Sequence, residues 1–290
     1  IAPYLCLRCS DMAYLTEAHR SNRRKIPTFL VDFPINHQRH KEWTVKYVAE
    51  NLRRLVKRIG EMGGREATDE DLRIEIKLIN RARKLARDYV EMWWKAPIPP
   101  ASSVELQNVM TLGNDFVGDP AVGVQVLEEA YGEIKERVEN SVKGMDVAED
   151  PVRLFLCGSC GTPNSHHIDR AGGAVVGYDD WWNRLLIDVE EDGDPYENLA
   201  KAMLSFPYEL PTEERALWTA EQAKKAKADG LIFAYNWGCN NQSAVARMVC
   251  DIVKKEINIP TMPLELGELG RTEATEQSQN RVESFIEMLA

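Results

Sequence analysis

Residues 152–178, VRLFLCGSCGTPNSHHIDRAGGAVVGY, contain two short apolar runs separated by a glycine-rich turn and a polar segment. The runs Val152–Cys157 and Gly173–Tyr178 are typical of buried strands, and Ser165–Ala171 between them suits the start of a helix. A strand, a helix and a second strand in this order form the repeating unit of an open parallel sheet. This stretch therefore predicts an α/β fold with a parallel sheet.

The same alternation continues to the end of the chain. We predict two more strands, Gly230–Trp237 and Thr261–Leu266. The periodicity of apolar residues predicts helices over Tyr196–Leu204, Glu213–Ala228, Ser243–Ile257 and Gln277–Leu289. We therefore interpret residues 150–290 as a complete doubly wound α/β domain.

The beginning of the chain repeats this pattern in shorter form. Ile1–Leu7 is strand-like, residues 11–22 are expected to form a helix with Asp11 as its N-cap, and Ile26–Phe33 is a second apolar strand. Because Ile1 is not a start methionine and stands inside a strand-like run, we expect further residues to precede it. Residues 1–40 are thus predicted to be the C-terminal part of a first α/β domain.

Residues 41–149 have a different character, with long charged stretches of helical periodicity. We predict helices over Trp43–Met62, Asp69–Trp94 and Val122–Lys143, and no strand. Thr68 and the acidic residues that follow it mark the start of the second helix. The segment is interpreted as a helical connection between two α/β domains.

Composition excludes several classes of function. The chain of 290 residues has a net charge of −10 and no long block of Lys or Arg, so nucleic-acid binding is disfavoured. No stretch approaches about 18 consecutive apolar residues, and no signal peptide is recognisable, so we expect a cytoplasmic protein without membrane contact. Six cysteines in such a chain favour metal binding or redox chemistry over disulfides.

Four of these cysteines follow, or end, predicted strands. Cys9 follows the first strand, Cys157 ends the strand at 152–157 with Cys160 in its turn, and Cys239 follows the strand at 230–237. Ligands of open parallel sheets bind at the carboxyl ends of the strands, and thiolates select iron–sulfur, zinc or copper(I) centres. We predict that Cys9 and Cys239 hold an iron–sulfur cluster where two parts of the chain face each other.

The remaining cysteines leave alternatives open. Cys6 with Cys9, and Cys157 with Cys160, form two CxxC pairs that a four-cysteine zinc site would use. Zinc is less favoured, because Cys6 and Cys157 lie inside or at the end of apolar strands. Cys6, Cys157 and Cys160 are therefore further candidate ligands or packing residues. A helical position favours a packing role for Cys250.

Two polar segments beside these turns are candidates for substrate chemistry. His166 or His167 is a candidate proton donor or acyl-CoA contact, although an exposed or capping pair fits the pattern equally well. Adjacent helical side chains point about 100° apart, so at most one faces the cleft. Residues 240–243, Asn-Asn-Gln-Ser, are expected to cap a helix N-terminus, a natural site for an anion or a thioester oxygen. No P-loop or GxGxxG motif is present, so the chain shows no ATP site of its own.

Ordered motifs along nearly the whole chain resemble the 2-hydroxyacyl-CoA dehydratase and class I benzoyl-CoA reductase family, which includes double-cubane cluster proteins. The matching segments are Cys9-Ser10-Asp11, Val31–Pro34, Arg153–Gly158, Gly173–Asp180, Asp194-Pro195-Tyr196, Ala228–Phe233, Asn236–Cys239, Ile259-Pro260-Thr261 and Arg281–Phe285.

The resemblance implies a fold, a cofactor and partners. It implies two Rossmann- or flavodoxin-like domains joined by helices, and a core shared with a homologous second subunit. It implies a [4Fe–4S] cluster on three cysteines, with Cys9 and Cys239 as the second and third. A separate ATPase activator would deliver one low-potential electron for radical elimination of water from an (R)-2-hydroxyacyl-CoA. Benzoyl-CoA ring reduction, a double-cubane reductase and an electron-relay subunit are the alternatives.

Two departures from the family pattern keep the cluster type and the substrate open. The CxxC pairs at Cys6 and Cys157 are not the usual three-cysteine pattern, which raises the double-cubane alternative. The segment 276–281, Glu-Gln-Ser-Gln-Asn-Arg, also differs from the family's Gly-Gln-x-Arg-Thr-Arg.

Overall fold

A computed structural model describes residues 4–6, 10–21, 29–31, 41–115, 118–158, 161–207, 210–267 and 275–290. Side chains are described for these residues except 4–6, 10–13, 20, 29–31 and 275. The strands are β1 (Tyr4–Cys6), β2 (Phe29–Val31), β3 (Val152–Cys157), β4 (Gly173–Tyr178), β5 (Gly230–Asn236) and β6 (Thr261–Leu266). The predicted strands are confirmed, in the first 40 residues at the positions that the structure describes.

The helices alternate with these strands except between β2 and β3, where the described chain is helical. They are α1 (Ser10–Ser21), α2 (Glu42–Gly63), α3 (Asp69–Lys95), α4 (Ser103–Leu112), α5 (Pro120–Glu139), α6 (Ser165–Arg170), α7 (Asp179–Leu185), α8 (Pro195–Leu204), α9 (Thr212–Lys225), α10 (Asn240–Ile257) and α11 (Thr275–Leu289).

A four-stranded parallel sheet in the order β4-β3-β5-β6 organises the second half of the chain. The residues of β3, β4 and β5 are almost all buried, which explains why these strands are continuous apolar runs rather than alternating ones. The chain passes from β3 outward to β4 and then returns to the other side of β3 for β5. The strand order therefore reverses between β3 and β5, and ligands of open α/β sheets bind at such a point.

Several helices differ from the predictions. The helices α4 and α7 were not predicted, and α5 begins and ends earlier than expected. The prediction that Asp11 is an N-cap is wrong, because α1 begins at Ser10 and Asp11 lies inside its first turn. The predicted start of α3 is confirmed: the Asp71 N–H donates to Thr68 Oγ1 over 3.1 Å, and Thr68 N–H donates to Asp71 Oδ2 over 2.7 Å.

The chain divides into two compact units, each built from two segments. One unit comprises residues 1–77 and 187–209, and the other comprises residues 78–186 and 210–290. In the first unit, β1 pairs with β2 in parallel, and α2 packs on α8 around an apolar cluster. The cluster members are Val48, Ala49, Tyr196, Ala200 and Leu204. Asp194 caps α8 by accepting from the N–H groups of Tyr196 and Glu197.

The second unit contains the four-stranded sheet. Here α9 and α10 pack on each other, α10 packs on β5 and β6, and α6 packs on β4, α4 and α11. This unit is an α/β structure with a parallel four-stranded sheet. The doubly wound arrangement, a second such domain and the division at residues 40 and 149 stay predictions. In the part of the chain that the structure describes, no helix is long and apolar enough to cross a membrane.

Candidate functional site

The carboxyl ends of β3 and β5 form the edge where the cysteine-bearing turns begin. Gly158 follows β3 with φ +104°, a conformation that favours glycine, and a Cβ there would lie 1.9 Å from the carbonyl oxygen of Ala234 on β5. Gly238 follows β5 with φ +85°. Each of these two turns, which follow adjacent strands, thus contains a glycine in a left-handed backbone conformation. At Gly158 there is also no room for a side chain.

We expect Gly158→Ala to destabilise the second unit more than a change of backbone conformation alone would. Gly172 is a matched control, because its φ is +88° and nothing lies within 4 Å of an added Cβ. Gly172→Ala should cost about 1 kcal/mol through φ alone, and Gly158→Ala should cost several times as much because β5 must also move. Urea unfolding of both variants measures the difference, and equal midpoints would contradict the close approach.

Cys239 stands at the N-cap of α10, at the end of the turn that follows β5. Its N–H donates to the carbonyl of Asn236 over 3.1 Å, and its own carbonyl accepts from Ser243 N–H over 3.0 Å. Cys239 is 6% exposed, and its side chain makes no capping hydrogen bond. The prediction that residues 240–243 cap this helix is wrong, because they form its first turn. The positive end of α10, with no acidic residue in that turn, favours negative charge beside Cys239.

A buried polar network under these turns was missed by the sequence analysis. The N–H of Gly158 donates to Asp179 Oδ1 over 3.0 Å. Arg215 donates to Asp179 Oδ2 through Nε, over 3.2 Å, and through Nη2. Its Nη1 donates to Gln242 Oε1 over 3.3 Å. Asp179, Arg215 and Gln242 are all buried, and burial raises the pKa of the Asp179 carboxyl while the guanidinium opposes that rise.

Asn236, the last residue of β5, adds a second buried polar group at this edge. Its Nδ2 donates to the carbonyl of Gly267 over 3.1 Å, whereas its Oδ1 is buried and has no hydrogen-bond partner among the described residues. A Cβ on Gly161 would lie 2.7 Å from this Oδ1. The glycine therefore leaves room for the Asn236 side chain beside the turn that follows β3.

The cysteines that the structure describes with their side chains fall into two environments. Cys157 and Cys250 are fully packed in the core of the second unit. Burial is the main cause that raises the pKa of both thiols, well above the ordinary value for Cys157 and to about 12 for Cys250. This supports a packing role for Cys250. Cys239 instead lies at the carboxyl edge. None of the three forms a disulfide.

The other candidate ligands are not described. Cys9 and Cys160 lie outside the described residues, and so does the side chain of Cys6 at the end of β1. Among the described side chains, no group of three or more His, Cys, Asp or Glu is arranged to hold a metal ion. Cys239 fits a cluster by its soft donor atom, its place at the edge and the positive helix end. It needs further ligands from outside the described part of the chain.

The two candidate histidines lie in α6 and face different carboxylates. His166 Nδ1 is 3.8 Å from Asp146 Oδ2, a distance beyond a hydrogen bond. His167 Nε2 is 3.0 Å from Glu283 Oε1 but is not aligned for a hydrogen bond with it. As predicted, the two adjacent histidine side chains point to different neighbours. Their role as proton donors stays a prediction.

Asp169 connects α6 to α4 through hydrogen bonds, and the pKa of its carboxyl group is raised. Its carboxylate accepts hydrogen bonds from the Ser103 N–H, over 2.9 Å, and from the Ser103 hydroxyl. Ser103 Oγ in turn accepts from the Val175 N–H over 2.7 Å. Burial raises the pKa of Asp169 to about 6, while the Ser103 bonds and His166 oppose the rise and Asp146 adds to it.

This shift predicts a pH dependence of stability with a definite sign. Between about pH 4 and pH 6, folded Asp169 keeps a proton that the unfolded chain has lost, so stability falls as the pH rises through this window. We expect the fall to be on the order of 2–3 kcal/mol. Asp169→Asn cannot ionise and should flatten this part of a curve of unfolding free energy against pH. An unchanged slope would contradict the assignment.

A family model and two known proteins are similar in sequence to this chain. The family model of the 2-hydroxyglutaryl-CoA dehydratase D-component matches residues 5–289, nearly the whole chain. The chain is 25% identical over 250 residues to the putative dehydratase subunit YjiM of Escherichia coli strain K12, which covers 83% of this chain and 63% of the relative.

A second relative belongs to an enzyme of a different name. A benzoyl-CoA reductase subunit of Thauera aromatica is 27% identical over 221 residues, which cover 71% of this chain and 54% of the relative. The chain thus spans between about half and two thirds of the length of these two relatives. Both relatives are named as subunits.

Proposed function

Because the chain belongs to the 2-hydroxyglutaryl-CoA dehydratase D-component family, we propose that it is the iron–sulfur subunit of an activator-dependent 2-hydroxyacyl-CoA dehydratase. The reaction is the elimination of water from an (R)-2-hydroxyacyl-CoA, driven by a low-potential electron. The observation that carries the proposal is the family match over residues 5–289, together with Cys239 at the sheet edge where such folds bind ligands.

The proposed cofactor is a [4Fe–4S] cluster held by Cys239 and Cys9, with Cys6, Cys157 and Cys160 as further candidates. Complete burial of Cys157 makes it the weakest of these, because a ligand must give up its proton and the buried thiol resists doing so. When bound, the cluster would supply the low-potential electron. A double-cubane cluster is the alternative that the CxxC pairs keep open.

The chain's own residues would hold and shield that centre. The left-handed Gly238 and the Asn236 carbonyl fix the turn that presents Cys239. The first turn of α10 points backbone N–H groups towards the edge, where a thioester oxygen or another negatively charged group would be stabilised. His166 and His167, each near a carboxylate, are proposed as proton donors to the substrate.

The proposed assembly follows from the same relationship. Because the matched relatives are named as subunits, we propose a homologous second subunit, an acyl-CoA substrate and a separate ATPase that activates the complex. We also propose that the first unit belongs to a second doubly wound domain, in which β1 and β2 are a parallel pair.

A second candidate function is reduction of benzoyl-CoA or a related aryl-CoA, which the Thauera aromatica relative favours. Anaerobic turnover separates the two. The chain, its second subunit and the activator are incubated with ATP and a low-potential reductant, once with a 2-hydroxyacyl-CoA and once with benzoyl-CoA. We expect the enoyl-CoA product from the first and no ring reduction from the second. Ring reduction without dehydration would replace the proposal by the second candidate.

A further inference from the structure

The buried network of Asp179, Arg215 and Gln242 joins segments that are far apart in the sequence. Gly158 donates to Asp179 from the turn after β3, Asp179 begins α7 after β4, and Gln242 lies in the first turn of α10 after β5. Arg215 on α9 donates to both side chains. The network therefore links the chain segments that leave three neighbouring strands at the carboxyl edge of the sheet.

Cys239 is connected to this network through the first turn of α10. Gln242 follows Cys239 by three residues, and the next residue, Ser243, donates its N–H to the Cys239 carbonyl over 3.0 Å. The Cys239 side chain does not cap the helix. The hydrogen bond from Arg215 to Gln242 thus ties the turn that carries the thiol to the buried ion pair.

An ion pair in the interior is a poor source of net stability, because the cost of removing both charges from water offsets their attraction. Its better-supported use is to hold one arrangement among several. The planar guanidinium suits that role, because its N–H groups point in fixed directions and here reach Asp179 and Gln242 at the same time.

We infer that the Asp179–Arg215–Gln242 network is a positioning device, which holds the Cys239 turn at a fixed place relative to the Gly158 turn. Its purpose rests on the proposed cluster function, since a multidentate centre requires ligands at set positions. The inference that the network holds the Cys239 turn in place rests only on contacts within the second unit.

The test compares two changes of Gln to Met that differ in position. Gln242→Met removes the acceptor for Arg215. Gln222→Met is the matched control, because Gln222 is also buried and accepts a hydrogen bond, but from Trp182 Nε1 over 3.0 Å. The full chain without iron is treated with iodoacetamide, and modification of Cys239 is followed by peptide mass spectrometry.

We expect Cys239 to be alkylated about tenfold faster in Gln242→Met than in wild type, and at the wild-type rate in Gln222→Met. If Gln242→Met does not fold, Arg215→Lys takes its place, since a lysine keeps the charge but not the fork that reaches both partners. Equal rates for wild type and the folded network variant would overturn the inference, and so would equal acceleration in Gln222→Met.

The same variants separate this inference from the proposed function. After anaerobic reconstitution with iron and sulfide, we expect Gln242→Met to show an altered electron paramagnetic resonance spectrum and Gln222→Met the wild-type spectrum. Identical spectra would overturn an action of the network on the cluster. A wild-type chain that binds no iron would refute the proposed function, and the alkylation rates would still decide whether the network positions Cys239.

Discussion

Replacement of Cys239 by alanine is expected to lower the iron bound by the chain by at least about tenfold. Cys239 is the described cysteine that lies in a turn beyond the carboxyl end of a strand, at the positive end of α10. Removing a thiolate from a centre with few protein ligands leaves an iron without a protein donor, so the cluster should be lost and turnover with it. Iron and acid-labile sulfide per chain after anaerobic reconstitution measure the effect.

Cys250→Ala is the matched control. Cys250 lies in α10, whose N-cap is Cys239, and it is 1% exposed. The substitution to alanine removes a thiol in both variants. Its thiol faces the core, and burial raises its pKa to about 12, so it is a poor ligand. We expect wild-type iron content in this variant. Full iron content in Cys239→Ala, or equal loss in both variants, would show that Cys239 is not a ligand.

The second large effect concerns stability. Asp179→Asn is expected to lower the free energy of unfolding by about 3–5 kcal/mol, because it leaves the buried Arg215 guanidinium without its opposite charge. The hydrogen bond from the Gly158 N–H is weakened by the same change. Urea unfolding at fixed pH, followed by tryptophan fluorescence, gives the free energy.

An exposed ion pair supplies the comparison. Arg247 Nε is 3.0 Å from Asp251 Oδ2, and both side chains are mostly exposed. Asp251→Asn should change the free energy of unfolding by less than about 1 kcal/mol. In addition, the double variant Asp179→Leu with Arg215→Met should be more stable than Asp179→Asn, since no unpaired charge remains. If Asp179→Asn costs no more than Asp251→Asn, the pair is not the buried contact that the structure shows.

Much of the second unit could be predicted from the sequence because its strands are short apolar runs with clear ends. The bounds of β3, β4 and β6 agree with the predictions. The helix α7 was not predicted because it follows β4 without a loop and has only 7 residues. The helix α4 is also short, although the capping box formed by Ser102 and Glu105 marks its start in the sequence.

The candidate site could be predicted only in part. Cys239 was recognisable because a cysteine after a buried strand stands where parallel sheets bind ligands. Asp179 carried the same signal, an acidic residue directly after a buried strand. Arg215 carried none, because it lies in an amphipathic helix and faces the core only through tertiary contacts. Gln242 was predicted only as one of four capping residues, and its buried contact with Arg215 was not. No spacing rule connects residues that are 36 and 27 positions apart.

Iron and sulfide content of the anaerobically reconstituted full chain tests the central claim most directly. We expect about four iron atoms and about four sulfides per chain, with the spectrum of a [4Fe–4S] centre on reduction. About eight iron atoms per chain would indicate a double-cubane cluster instead. A folded chain that retains fewer than about one iron atom, with or without its second subunit, would contradict an iron–sulfur role for this protein.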